Sequence, residues 1–171
     1  SYAEKAFDML YGFIASHNGI CEALGGRLPA SHVRRQWEKE RAQGPAGVAW
    51  MRCTDTHDVA ADSGSRRNET RWGHRRAECG IALSFALDGV PMLWMGQEIG
   101  WDRRYSIFGP TPIDWRAAPA PGRPSVIRRL CALKREPAFG ARGETVWLTP
   151  DDPDDEILFL RRAPDGTTYR C

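Results

Sequence analysis

Two short polar clusters in this 171-residue sequence carry the side chains best suited to chemistry. The stretch Thr54-Asp55-Thr56-His57-Asp58 offers two carboxylates and an imidazole, Gln97-Glu98 adds an amide and a third carboxylate, and Asp8 and Tyr11 stand near the amino terminus. Ionised carboxylates accept pairs of hydroxyl hydrogen bonds and aromatic rings cover apolar faces, so the set suits a polyhydroxylated, sugar-like substrate. Each residue alone also has a plainer role: Asp58 as a turn or helix cap, His57 as a packed histidine, Glu98 as an ion-pair partner at a rim. Cys53 and His57 are two ligand types without a third nearby, so no metal centre is indicated, and no cofactor is called for.

These clusters must sit on elements that bring them together. Val48 to Cys53 has the length and apolar content of a strand, with Arg52 marking an end that approaches a polar rim, and Thr54 to Asn68 then reads as a long loop. From Glu69 to Leu87 apolar residues recur every three or four positions, which predicts one helix. Asp88-Gly89 ends it, and Val90 to Met95 is a continuously apolar run expected of a strand covered on both faces. Strand, loop, helix, tight turn and strand make an α/β unit, and in a parallel sheet the carboxyl ends of the strands are where loops converge on a ligand.

The flanking segments follow the same logic. A helix is expected from about Ser16 to Leu24, and Ser31 is placed to cap another that runs to Gln43 with Val33 and Trp37 on one face. Gly100 to Pro124 is irregular, and its Trp101 and Trp115 read as packing residues more than stacking platforms. Ser125 to Glu136 predicts a helix stopped by Pro137. Thr145 to Leu148 and Ile157 to Leu160 read as strands that begin an all-β region.

Composition narrows the partners. Hydrophobic residues make up 42% and the net charge is +2, so a folded chain is expected, with no field to draw it to nucleic acid or an anionic membrane. Lysine occurs only at positions 5, 39 and 134, and the scattered arginines read as solvated or paired surface groups. Five cysteines without a CxxC pair indicate neither a disulfide framework nor a zinc site. The apolar run from Cys79 to Gly96 is broken by Asp88-Gly89 and Pro91, which favours two buried elements over a membrane span. The opening SYAEKAFDML lacks the features of a signal peptide, and a chain starting at Ser1 reads as part of a longer polypeptide.

Several segments together resemble the alpha-amylase superfamily, glycoside hydrolase family 13. TDTHD at 54–58 is similar to the family segment after the seventh barrel strand, where Asn-His-Asp is usual, and GVPMLWMGQEIG at 89–100 resembles the eighth strand and its loop. TPIDW at 111–115 and the helix ending KREPAF resemble the close of the barrel, and AFDMLY at 6–11 resembles the sixth-strand region. The resemblance implies an α/β fold: part of a (β/α)8 barrel, strands 6 to 8 with their helices, over residues 1–140, followed by the first strands of an all-β domain over 141–171. A complete barrel needs about 250 residues.

The resemblance also implies roles. Asp58 would stabilise the transition state and hold ring hydroxyls, His57 would bind the same sugar, and Tyr11 and Glu98 would line the site for an oligosaccharide or alpha-glucoside. Thr56 stands where the family has asparagine, which removes one orienting side chain. Retaining hydrolysis needs a nucleophile and a general acid about 5 Å apart. The family draws both from the fourth and fifth strands, which have no counterpart in the matched segments. The expectation is therefore part of a glycoside hydrolase, inactive alone and needing the amino-terminal portion of the same polypeptide. A non-catalytic carbohydrate-binding module, or part of a transglycosidase or isomerase, is the alternative. Three parallel strands with open edges predict a marginal or aggregation-prone isolated chain.

Overall fold

The computed structural model describes residues 15–44, 48–58, 66–104, 106, 108–110, 112–140 and 142–171. Tyr11, Asp8 and the AFDMLY segment lie outside them. The first helix, α1, opens as a π-helical stretch, Ser16–Cys21, and continues through an α-helical turn, Glu22–Leu24. Helix α2 spans Ser31–Gln43, and strand β1 is Met51–Arg52. Helices α3, Asn68–Trp72, and α4, His74–Ala86, lead to β2, Val90–Pro91. A 3-10 turn at Gln97–Ile99 and helix α5, Arg123–Leu133, follow. Strands β3, Glu144–Trp147, β4, Phe159–Arg162, and β5, Thr168–Arg170, close the chain.

Among the described residues, β1 and β2 form a parallel pair with Met51 opposite Val90 and Arg52 opposite Pro91. Val90 N–H donates to Trp50 O at 2.7 Å and Met92 N–H to Arg52 O at 2.8 Å. Strands β3, β4 and β5 form an antiparallel sheet in that order, with Val146 opposite Leu160 and Arg161 opposite Tyr169. The chain is thus an α/β unit consistent with part of a (β/α)8 barrel, followed by an antiparallel sheet. No described helix is long and apolar enough to cross a membrane.

Local chemistry moves several boundaries from their expected places. The single helix expected over 69–87 is two, because Gly73 at φ +80° breaks the turn between α3 and α4. Gly89, at φ +107°, lets the chain pass so close to β1 that a Cβ there would lie 2.2 Å from Trp50 O. Ser31 does not cap α2. The helix instead receives the Asp154 and Pro153 carbonyls on the Ala30 and Ser31 N–H groups, at 2.7 and 2.8 Å. Strand β4 begins two residues later than expected, after a turn in which Asp152 Oδ1 accepts the Asp154 N–H at 3.1 Å.

The apolar run at 90–95 is not covered on both faces. Val90 is 56% and Met95 48% exposed, since β2 has one strand neighbour among the described residues. Arg52 does not mark a rim either: its side chain is fully buried and pairs with Glu40 on α2 and with Asp88. Arg67, Arg123 and Arg161 are buried as well, so these arginines are interior struts and not surface groups. Buried cations persist only where carboxylates and carbonyls meet them, and each of the four has such partners.

The core joins both parts of the chain. Ile20 of α1, Val33 of α2, Leu87 and Phe159 of β4 form one buried cluster, with Trp37, Leu83 and Trp147 packed against it. Ile81 and Phe85 of α4 meet Ile127 of α5 in a second cluster, and Ala138, Phe139 and Ala163 form a third.

Candidate functional site

Because β1 and β2 run parallel and in register, the loops that leave their carboxyl ends emerge on the same side. Two side chains lock these loops together. Gln97 Nε2 donates to Thr54 Oγ1 at 3.0 Å, while its Oε1 accepts the Trp94 N–H at 2.8 Å. Arg67 reaches across both, with Nη1 donating to Met95 O at 3.0 Å and Nη2 lying 3.2 Å from Asp55 Oδ2.

Above this buried layer stand His57 and Asp58. His57 Nε2 lies 3.1 Å from Asp58 Oδ1, and the two side chains are 54% and 70% exposed. The His57 ring meets the half-buried Trp94 ring with centroids 6.1 Å apart. Helix α1 packs beside the end of β1, where Ser16 Oγ accepts the Cys53 N–H at 3.4 Å and Cys21 Sγ donates to Thr54 O at 3.6 Å; burial lowers the pKa of its His17, while the negative charge of Asp58 opposes that shift. Glu98 is half-buried, and its Oε2 accepts the Gly96 N–H at 2.8 Å, which shapes the turn it stands on.

Beneath the rim runs a chain of buried charges. Asp55 is enclosed beside Arg67, and Glu69 stands 3.9 Å from the Arg67 Nε and 3.3 Å from the Arg123 Nη1. Arg123 also donates to Gln97 O at 3.2 Å and to His74 O at 2.9 Å. Burial, reinforced by the charge of Glu69, pushes the Asp55 carboxyl up to about 7 against the opposing pull of Arg67.

The structure therefore brings His57, Asp58 and Glu98 to one side of one parallel pair, while Tyr11 lies outside the described residues. His17, Trp94 and Arg67 join them, and sequence reasoning did not select these. Trp94 sits within an apolar run that reads as strand, and His17 and Arg67 carry no local motif. Among the described residues no group of three or more His, Cys, Asp or Glu is arranged to hold a metal.

A cleft of about 730 Å³ lies at the other end of the pair, beside Trp50 and Val90. Two of its charged groups are engaged within the protein: Lys134 donates to Phe85 O and Leu87 O at 3.2 and 2.8 Å, and Asp88 accepts from Trp37 and Arg41. The candidate site is the set of side chains at the carboxyl ends of β1 and β2.

No protein-family model matches the sequence, and no curated protein matches it. Solved structures do. A cyclic alpha-maltosyl-(1→6)-maltose hydrolase from Arthrobacter globiformis superposes with a TM-score of 0.72 at 25% identity, over 91% of this chain and 34% of that one. Structural homology to alpha-amylase superfamily enzymes thus covers most of this chain and part of theirs. A noncanonic maltogenic alpha-amylase from Thermotoga neapolitana (TM-score 0.71, 20% identity, 88% of this chain and 34% of that chain) shares the fold. So does a cyclomaltodextrinase (0.72, 17%, 90% and 26%). The chain spans about a third or less of the length of the structures it matches.

Proposed function

We propose that this chain forms one flank of the sugar site of an alpha-glucoside-acting glycoside hydrolase and acts as part of a longer polypeptide. The observation that carries this reading is the exposed His57–Asp58 pair on a loop that the parallel β1–β2 register sets beside the Trp94–Glu98 loop. The likeness to a hydrolase of a cyclic maltosyl-maltose supports the substrate class.

In this reading Asp58 faces the anomeric carbon. A glycosidic bond breaks through an oxocarbenium-like state, so a preorganised carboxylate interacts more strongly with the transition state than with the bound sugar. His57 hydrogen-bonds hydroxyls of the same ring, Trp94 covers an apolar ring face, and Glu98 lines the adjoining rim. Tyr11 is proposed for the same site on the resemblance alone. The nucleophile and the acid, about 5 Å apart in a retaining site, are assigned to the portion of such an enzyme that this chain does not match. The boundary between barrel portion and β domain is placed near residue 140.

The test compares the 171-residue chain with the polypeptide extended by the coding sequence preceding Ser1, using maltotriose as substrate. The extended protein is expected to release glucose and maltose and the chain alone to release neither. Hydrolysis by the chain alone would overturn the division of labour. Calorimetric binding of maltotriose by the chain, with no hydrolysis by the extended protein, would establish a binding module instead.

A further inference from the structure

Arg67 occupies a position unlike that of the other buried arginines. Its guanidinium stands at the root of both loops: it meets Asp55, three residues before Asp58, and the Met95 carbonyl, three residues before Glu98. A third arm, Nε, lies 3.9 Å from Glu69 Oε2 at the start of α3. The side chain is fully buried. It also underlies the turn at Gly96, where a Cβ would come 3.5 Å from Nη1 and 3.0 Å from the Trp101 Cβ.

We propose that Arg67 is a positioning residue, a clamp that fixes the distance and orientation between the Asp58 loop and the Glu98 loop. The assignment rests on the proposed sugar site for its purpose, while the clamp itself is a property of the free chain. Two features suit it to that role. Its partners come from three chain segments, the loop after β1, the loop after β2 and the start of α3. One of them is a backbone carbonyl, so its position reports the loop and not a side-chain rotamer. Among the described residues its one hydrogen bond runs from Nη1 to the Met95 carbonyl, and its approach to Asp55 and Glu69 is through charge.

Other bonds tie the same region. Gln97 to Thr54 and Asn68 Nδ2 to Thr54 O, at 3.0 and 2.7 Å, hold the first residues of the β1 loop. Neither reaches the Met95 carbonyl or Asp55. Arg67 is the group among the described residues that engages both.

The test is amide hydrogen exchange in the full chain without sugar, comparing wild type with Arg67→Lys and Asp55→Asn. The informative amides are Trp94 and Gly96 in the β2 loop, against Val90 and Met92, which bond to β1. Arg67→Lys is expected to speed exchange at Trp94 and Gly96 by about tenfold to a hundredfold, the equivalent of a lost charge-assisted hydrogen bond, and to leave Val90 and Met92 unchanged. Asp55→Asn, which keeps the shape and, at pH 8 where Asp55 is ionised, removes one charge, is expected to give a smaller effect at the same two amides. Unchanged loop exchange, or an equal acceleration at all four amides, would overturn the clamp. If Arg67→Lys does not fold, Asp55→Asn decides by the same criterion. Maltotriose titration of the same variants is a separate measurement: failure of wild type to bind sugar bears on the proposed site and not on the clamp.

Discussion

Thr54 Oγ1 accepts a hydrogen bond from Gln97 Nε2 at 3.0 Å, and both groups are buried. The bond joins the first residue of the β1 loop that can reach sideways to the residue that anchors the β2 loop. Thr54→Val keeps the volume and removes the acceptor, leaving the Gln97 amide unsatisfied. We expect a loss of about 1–3 kcal/mol of stability, read as a lower urea midpoint at an unchanged slope.

The exposed pair above it should behave in the opposite way. His57→Ala truncates and Asp58→Asn neutralises a side chain that is more than half exposed, so stability should hold within about 0.5 kcal/mol. In the extended polypeptide, Asp58→Asn is expected to cut kcat far more than it raises KM. An unchanged kcat would remove Asp58 from the transition-state role.

Asp55 gives the fold a pH dependence. The folded state holds its proton up to about 7, whereas the ordinary value is 3.8. Between those values the folded chain binds more protons than the unfolded one, so stability falls as pH rises through this window. Glu40, also raised by burial, contributes with the same sign. Lys134, lowered by burial to about 8 from 10.5, works the other way at higher pH, where the folded chain binds fewer protons and stability recovers. The urea midpoint should be lower at pH 7.5 than at pH 5.5, and Asp55→Asn should flatten that difference. His17, lowered by burial, works against this below its ordinary value of 6.5, so the decisive reading is the difference from Asp55→Asn: a midpoint that changes identically with pH in wild type and variant would contradict the burial of an ionisable Asp55.

Phe159 lies in the cluster with Ile20, Val33 and Leu87, and it is 2% exposed. Phe159→Ala is expected to cost about 3–5 kcal/mol, a large share of the 5–15 kcal/mol available to a domain of this kind. Near- and far-ultraviolet circular dichroism of the variant should lose their melting transition together. Retention of a helical transition with loss of the β signal would show that the sheet is dispensable.

The parts of this fold legible in the sequence were those that periodicity and punctuation govern. The Asp88-Gly89 turn, the pairing of segments near 50 and 90 and the helix before Pro137 depend on local apolar spacing and on glycine and proline, and each is present in the expected order. That the His57–Asp58 loop and the Glu98 loop leave the same side of the pair follows from parallel strand order. Buried charge was not legible. Arg52 and Arg67 look like surface residues because their partners, Glu40, Asp88, Asp55 and Met95 O, are set by tertiary packing and leave no mark at nearby positions. The exposure of Val90 and Met95 was hidden for a related reason: an apolar run predicts burial but does not count the neighbours that supply it.

The cluster that unites Phe159 with Ile20, Val33 and Leu87 makes the three-stranded sheet a keystone of the helical half. A protease that nicked the backbone between Gly140 and Arg142 would not release two self-sufficient pieces, because each would carry away one side of a shared interior. Evolutionary or engineered swapping of the tail would have to carry a matched aromatic at position 159.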